Sequence, residues 1–343
     1  MIITVTMNPA IDKTIDLDCF VHGGLNRIHR IEQDAGGKGI NVSKTIQKLG
    51  GTSTATGFLA GNAGDMIEKT MKEYGIKTDF IRIESETRTN TKIVEKKGIV
   101  TELNEPGPCV SENDIRLLFD KLDQYAAPGV LVVLSGSVPA SVDKSIYRTI
   151  TERMHAKGAS VLLDADGELF IRALEAKPDI IKPNRAELEG YINCMHPHSA
   201  DGSSQNTDGV PYSGTAVSQN PAGLPQTVIP SLQSLTDSGQ ELLRSGISSV
   251  IISLGSDGAL FLDRNHACFC PALSVRTHST VGAGDAMVAA LALEWERKLS
   301  FEECASLAMA ASAGAVTTTG TKPPSRETVD SLLSQVRLFH LSE

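Results

Sequence analysis

The run Val130-Leu131-Val132-Val133-Leu134, followed after a helix-like segment at 142–157 by Ser160-Val161-Leu162-Leu163, decides the fold. Each run is short, apolar and rich in branched side chains, the pattern of a strand buried on both faces. Asp179-Ile180-Ile181 and Ser249-Val250-Ile251-Ile252-Ser253-Leu254 repeat it, and Met1-Ile2-Ile3-Thr4-Val5-Thr6-Met7 opens the chain in the same manner. Helix-like stretches at 64–75, 112–126 and 231–245 alternate with these runs. Buried strands alternating with helices predict an α/β domain: a mostly parallel sheet covered on both faces, with ligand sites at the carboxyl ends of its strands.

Two segments break the rhythm. Residues 10–34 and 87–103 alternate polar and apolar side chains, as in Thr91-Lys92-Ile93-Val94-Glu95, and predict a small, partly exposed sheet placed to act as a lid. Residues 193–230 are dominated by Ser, Asn, Gly, Pro, Gln and Thr, and read as a polar, mobile surface insertion whose His196-Pro197-His198 is a solvated loop. Closing helices near 283–297, 301–318 and 325–338 are apolar at helical spacing. The 343 residues, 41% hydrophobic and 21% charged, suit one large core with a smaller appendage, so the whole chain 1–343 reads as a single domain.

A net charge of −9 argues against nucleic acid as a partner, which needs a basic face. No apolar stretch approaches the roughly 18 residues of a membrane span, and no basic segment precedes the first strand, so the expectation is a cytoplasmic protein acting on a small molecule. Six cysteines are scattered without a C-x-x-C pair, which predicts reduced thiols; Cys268 and Cys270 read as packing residues on one face of a strand.

Three turns that open helices, two of them rich in glycine, carry the chemistry. In Ser279-Thr280-Val281-Gly282-Ala283-Gly284-Asp285-Ala286-Met287, two glycines at a helix start let backbone N–H groups approach an anion, while Asp285 on the first turn can take a proton from an attacking hydroxyl. The same string also fits an ordinary helix start with Asp as dipole partner. A dinucleotide fingerprint fails at Met287, where the third glycine belongs, and a P-loop fails for want of Gly-Lys-Ser/Thr. Ala35-Gly36-Gly37-Lys38-Gly39-Ile40-Asn41 places a cation and a carboxamide beside bare backbone. Lys182-Pro183-Asn184-Arg185-Ala186-Glu187 leaves a strand for a helix, where Asn184 and Glu187 form either a capping box or a site at which Glu187 holds Mg²⁺ through water.

Together, and in this order, the motifs resemble the ribokinase-like PfkB family of carbohydrate kinases: Asn8-Pro9-Ala10-Ile11-Asp12, Gly36-Gly37-Lys38-Gly39, Ser135-Gly136-Ser137-Val138-Pro139, Lys182-Pro183-Asn184, Ser253-Leu254-Gly255-Ser256-Asp257-Gly258 and Gly282-Ala283-Gly284-Asp285. The resemblance covers nearly the whole chain outside the insertion. It implies a three-layer α/β/α core with a β-sheet lid. It implies sugar contacts at Asp12, Gly37, Asn41 and Ser137, and phosphate contacts at Lys38, Arg88, Asn90 and Arg27. On the nucleotide and Mg²⁺ side it implies Lys182, Asn184 and Glu187, with Ser253, Gly255 and Gly258 lining the nucleotide. Gly282, Ala283 and Gly284 would form an anion hole beside the base Asp285. ATP and Mg²⁺ follow from the resemblance, a monovalent cation is left open, and a homodimer joined through the lid sheet is the implied assembly.

Within the family, Asn8–Thr14, Thr87–Lys92 and Thr101–Pro108 are most similar to bacterial 1-phosphofructokinases, with tagatose-6-phosphate kinases next. Two cations for a sugar phosphate favour a phosphorylated substrate, since a dianion calls for charge-assisted partners. The expected reaction is phosphorylation of D-fructose 1-phosphate at its 6-hydroxyl. Tagatose 6-phosphate is the alternative substrate, and a catalytically silent sugar-phosphate sensor the alternative class. Asp166, where relatives often carry Ser, and Val138, which replaces a frequent Leu, depart from the pattern.

Overall fold

The computed structural model describes residues 1–195 and 229–341; the segment read as an insertion, with His196-Pro197-His198, falls almost wholly outside them. Strand Ile2–Thr6 lies at the centre of an eleven-stranded sheet, flanked by Leu131–Ser135 on one side and Ser53–Leu59 on the other. Beyond Leu131–Ser135 follow Ser160–Asp164, Ile180–Ile181 and Ser249–Ser253, all parallel. Three antiparallel strands, Ala259–Asp263, Ala267–Cys270 and Phe339–His340, extend that edge. The sheet is therefore mostly parallel, as the alternation predicts.

Period-two geometry sorts the strand side chains onto two faces. Ile3, Val5, Val132, Leu134, Val161, Leu163, Val250 and Ile252 point into one core, sealed by helices Glu112–Tyr125, Ile146–His155, Gly167–Leu174 and Ile229–Ser245. Ile2, Leu131, Val133, Leu162 and Ile251 point into the other, sealed by Lys38–Lys48, Ala283–Arg297, Phe301–Val316 and Arg326–Leu333. The result is the expected three-layer α/β/α sandwich.

The lid is a four-stranded sheet in the order Arg30–Gly36, Ala10–Leu17, Arg88–Glu95, Val100–Asn104. Its central pair, Ala10–Leu17 with Arg88–Glu95, is parallel, and both outer pairs are antiparallel. The lid is rooted in the core by Ile11 and Ala35, which pack with Ile40, Ile67 and Met71.

Some local boundaries differ from expectation. The helix expected over 142–157 spans 146–155, because Asp143 accepts a bond from the Ser145 N–H (2.7 Å) and holds a turn ahead of it. The helix expected over 325–338 stops at Leu333, where turns from Gln335 to Leu332 and from Val336 to Leu333 end it. Strand Ser53–Leu59 is an element that the apolar periodicity does not reveal, whereas helix Gly167–Leu174, with Leu169, Phe170, Ala173 and Leu174 buried at helical spacing, is one that the expected helices do not include.

Candidate active site

The carboxyl ends of the central strands and the inner face of the lid enclose a cleft of about 380 Å³. At its floor helix Ala283–Arg297 begins. Gly282, its N-cap, adopts a left-handed conformation (φ 86°) that a side chain would strain, and this turns the chain so that Asp285 points into the cleft. The carboxylate is buried, and its Oδ2 accepts a bond from Asn41 Nδ2 at 2.9 Å. Burial, reinforced by the negative charge of Asp164, pushes its pKa up to about 6; Asn41, Lys38 and Lys182 oppose the rise. A carboxylate so placed binds a proton far more readily than a solvated one while remaining mostly ionised at pH 7, the condition for a general base.

Helix Lys38–Lys48 brings Lys38 and Asn41 to the same place. Its N-cap Gly37 (φ 110°) lies so close to the chain that a Cβ there would meet Thr6 Cγ2 at 2.9 Å and Pro9 Cα at 3.1 Å. Asp164, at the end of strand Ser160–Asp164, organises the cations: Lys182 Nζ is 3.0 Å away, Lys38 Nζ 3.4 Å, and Ser135 Oγ donates at 3.3 Å. Burial alone would raise the Asp164 carboxyl, yet the two lysines outweigh it and hold it below the ordinary carboxylate range. The same pairing raises Lys38. Asp164 has no assigned role in the sequence reading, although a carboxylate at the carboxyl end of a buried strand is itself a signal.

The lid supplies the opposite wall. Asp12 sits against Gly36 and accepts a bond from Asn90 Nδ2 at 3.3 Å; burial raises its carboxyl against the pull of Asn90, Lys92, Lys44 and Arg88. Arg88 donates to the carbonyls of Glu105, just past the lid strand Val100–Asn104, and of Asn8, which follows the central core strand, both at 3.1 Å. Buried polar atoms without a hydrogen-bond partner among the described residues gather around this cleft, among them Thr6 Oγ1, Asn8 Oδ1, Asn41 Oδ1, Arg88 Nε, Asn90 Oδ1 and Thr321 Oγ1. Such atoms are costly unless something polar satisfies them, which a polyhydroxylated ligand would do.

A second cleft, of about 550 Å³, lies on the far side of the Gly282–Asp285 turn. Asn184, Ser253, Gly255 and Gly258 line it along with Leu273, Val275, Met287, Met309 and Val316, and Gly284 lines both clefts. Gly258 (φ 120°) has no room for a Cβ, which would fall 2.0 Å from the carbonyl oxygen of Cys270. An apolar slot with a few polar groups suits a heterocycle with an attached sugar.

The structure thus brings Asp12, Gly37, Lys38, Asn41, Arg88, Asn90, Ser137, Lys182, Gly282, Gly284 and Asp285 to the first cleft, and Asn184, Ser253, Gly255, Gly258, Ala283 and Gly284 to the second. Arg27 is exposed on the lid, outside both. Glu187 lines neither: it forms a capping box, accepting from the Asn184 N–H (2.8 Å) while its own N–H donates to Asn184 Oδ1 (2.9 Å). It is half-buried with a raised carboxyl, chiefly through burial. Lys92, Asn8, Thr6 and Thr321 line the first cleft without having been assigned a role from sequence. Cys268 and Cys270 are buried packing residues, and among the described residues no cluster of three His, Cys, Asp or Glu side chains is arranged to hold a metal. Among the same residues, no helix is long and apolar enough to cross a membrane.

Comparison with known proteins agrees with this geometry. The family model for pfkB family carbohydrate kinases matches residues 5–205 and 220–328. A 1-phosphofructokinase of Bacillus subtilis is 31% identical over 99% of this chain and its own full length. One from Xanthomonas campestris is 36% identical over 90% of this chain and 88% of its own. The solved structure of phosphofructokinase-2 from Escherichia coli in complex with substrates and products superposes with a TM-score of 0.82 at 25% identity, covering 97% of this chain and 98% of that one; the same enzyme has also been solved in complex with potassium. A ribokinase from Thermotoga maritima shares the fold (TM-score 0.73, 20% identity, 97% and 99% coverage). With a ribokinase-like α/β core, a four-stranded lid and two clefts meeting at one glycine-rich turn, the chain belongs to the pfkB family of carbohydrate kinases.

Proposed function

We propose that this kinase transfers the γ-phosphoryl group of ATP to the 6-hydroxyl of D-fructose 1-phosphate, giving fructose 1,6-bisphosphate. The observation that carries the reading is the position of Asp285: a buried carboxylate of raised pKa at the one turn lining both clefts. A hydroxyl in the first cleft and a phosphoryl group in the second would meet there. Asp285 takes the hydroxyl proton as the oxygen attacks, and the N–H groups of Gly282, Ala283 and Gly284 stabilise the charge on the phosphoryl in flight. Asp12 and Asn41 hold sugar hydroxyls together with Gly37 and Ser137, and Lys38 with Asn90 and Arg88 faces the phosphate already present. Lys182, Asn184, Ser253, Gly255 and Gly258 hold the nucleotide. Mg²⁺ would be bound mainly by the nucleotide's phosphates and water and would neutralise charge there; Glu187, half-buried beside Asn184 with one carboxylate oxygen (Oε2) used in the capping box, is the carboxylate that would reach it through water. The relatives named 1-phosphofructokinase support the choice of substrate. Comparing kcat/KM for fructose 1-phosphate, tagatose 6-phosphate and fructose 6-phosphate tests it: fructose 1-phosphate is expected to lead by at least about tenfold (about 1.4 kcal/mol), and equal values or another leader refute the assignment.

The lid leaves Phe20, Val21, Leu25, Ile28, Ile31, Val100 and Leu103 exposed, an apolar surface of the kind an isolated lid would rarely keep. It is expected to pair with the lid of a second copy, so that light scattering returns twice the chain mass. A monomer mass at assay concentration would refute this.

A further inference from the structure

Lys44 is a buried cation that the reaction leaves unused. It lies on helix Lys38–Lys48, three residues beyond Asn41 and so on the same face, yet it lines neither cleft. The residue is 2% exposed, and its Nζ donates to the Ala35 carbonyl at 2.7 Å. Among the described residues it has no other hydrogen bond and no ion pair. An ammonium so buried is costly, and burial pushes its pKa down. An apolar side chain of similar volume would fill the place at lower cost, so what distinguishes lysine here is its charge and its donor.

The surrounding carboxylates supply the reason for a charge. Asp12 and Asp34 stand directly opposite each other in the pair of strands Ala10–Leu17 and Arg30–Gly36, hence on one face of the lid. Like charges so placed destabilise each other. Asp34, Asp12 and Asp285, in that order of strength, act on Lys44. From the lid, Asp12 is faced by Asn90, Lys92 and Arg88; from the core, it is faced by Lys44. The carbonyl that Lys44 holds belongs to the residue between Asp34 and Gly36, and Gly36 lies so close to Asp12 that a Cβ there would fall 2.1 Å from its Oδ2. One ammonium thus fixes the backbone against which the Asp12 carboxylate rests and answers the repulsion from Asp34.

Resting on the assignment of Asp12 to the sugar hydroxyls, we infer that Lys44 is a positioning residue for the acceptor: from behind the cleft its ammonium clamps the Ala35–Gly36 backbone and offsets the charge of Asp34, so that Asp12 meets the sugar as a carboxylate. Lys44 touches no substrate and acts through Asp12. Burial already raises the Asp12 carboxyl, and removing the Lys44 charge raises it further, so the loss of sugar affinity falls on the acid side.

The test measures KM for the sugar phosphate at pH 5.5 and pH 8.5 in the full-length wild type, Lys44→Gln, Lys44→Arg and the double variant Lys44→Gln/Asp34→Asn, with KM for ATP as an internal control. Gln keeps a donor for Ala35 without the charge. Each KM is taken as a ratio to wild type at the same pH, so that ionisation of the acceptor's own phosphate cancels. In Lys44→Gln the ratio is expected to be about 3- to 10-fold at pH 5.5 and below about twofold at pH 8.5, with KM for ATP unchanged. Lys44→Arg, which keeps the charge, stays near wild type, and the double variant recovers at least about half of the Lys44→Gln loss. No rise, a ratio equal at the two pH values, or a double variant no better than Lys44→Gln overturns the inference, because a merely structural loosening would raise KM alike at both. The series uses whichever of fructose 1-phosphate, tagatose 6-phosphate and fructose 6-phosphate the wild type prefers. If that is not fructose 1-phosphate, the substrate named above is wrong, and the same pattern of ratios on the preferred sugar still supports Lys44.

Discussion

Replacing Asp285 by Asn is expected to lower kcat by about 10² to 10⁴, the range supplied by a positioned base, while sugar-phosphate and ATP binding persist. The amide keeps the shape of the carboxylate and can still meet Asn41 across the 2.9 Å contact, so the helix start is not disturbed. Stability should move the other way. The folded carboxyl has a pKa of about 6 against an ordinary 3.8, so the proton-bound form is favoured by folding. That contribution is fully present below pH 3.8 and is lost as the pH rises through about 6, above which the ionised, buried Asp285 costs up to roughly 3 kcal/mol. Asp285→Asn should therefore melt several degrees higher than wild type at pH 8 and show no advantage at pH 4. A calorimetric series across that range checks it, and a variant less stable at pH 8 would show that the site is not strained by its own base.

The second large effect lies at Asp164. Asp164→Asn leaves Lys182, whose side chain is only 6% exposed, and Lys38 without their shared counter-charge. Losing one partner of a buried ion pair costs about 3–5 kcal/mol, so a marked drop in Tm is expected at pH 7. Because the folded pKa of Asp164 is depressed, its stabilisation is present above the unfolded value of 3.8 and fades as pH falls through the lower folded value. The gap between wild type and variant should accordingly close in strong acid. Activity should suffer as well: Asp164 raises the pKa of Asp285, and without it Lys38 and Lys182 act on Asp285 alone, making it a weaker base. Thermal melts at pH 7 and pH 3 decide the first part; equal Tm values at pH 7 would mean that the lysines find other partners.

Much of this was legible in the chain itself. The strands Leu131–Ser135, Ser160–Asp164 and Ser249–Ser253 are continuous apolar runs, and their helices carry the matching stripe. Strand Ser53–Leu59 escaped because Ser53-Thr54-Ala55-Thr56-Gly57 has no apolar signal of its own; it is buried through contact with Ile2–Thr6, where Gly57 packs so closely that a Cβ would meet the Thr6 carbonyl oxygen at 1.9 Å. Helix Gly167–Leu174 is only eight residues long and starts at a glycine. The turns at Gly37, Gly282 and Asp285 were readable because glycine at a helix start has few other uses. What sequence could not give was pairing: Asp164 with Lys182, Lys92 with Glu102, and Arg88 with the carbonyls of Asn8 and Glu105 all join residues 10 to 80 positions apart. Glu187 shows the limit from the other side, since the capping box and an outer role toward Mg²⁺ use the same two residues.

The central claim is that the ionised form of Asp285 takes the proton from the sugar hydroxyl, and the pH dependence of kcat/KM for fructose 1-phosphate tests it most directly. With saturating nucleotide, log kcat/KM should fall in acid more steeply than ionisation of the acceptor's own phosphate (second pKa about 6) requires, because Asp285, pushed up to about 6, must be ionised as well. A profile that stays flat from pH 7 down to pH 5, or an Asp285→Asn variant that turns over at near the wild-type rate on the plateau, would contradict the account.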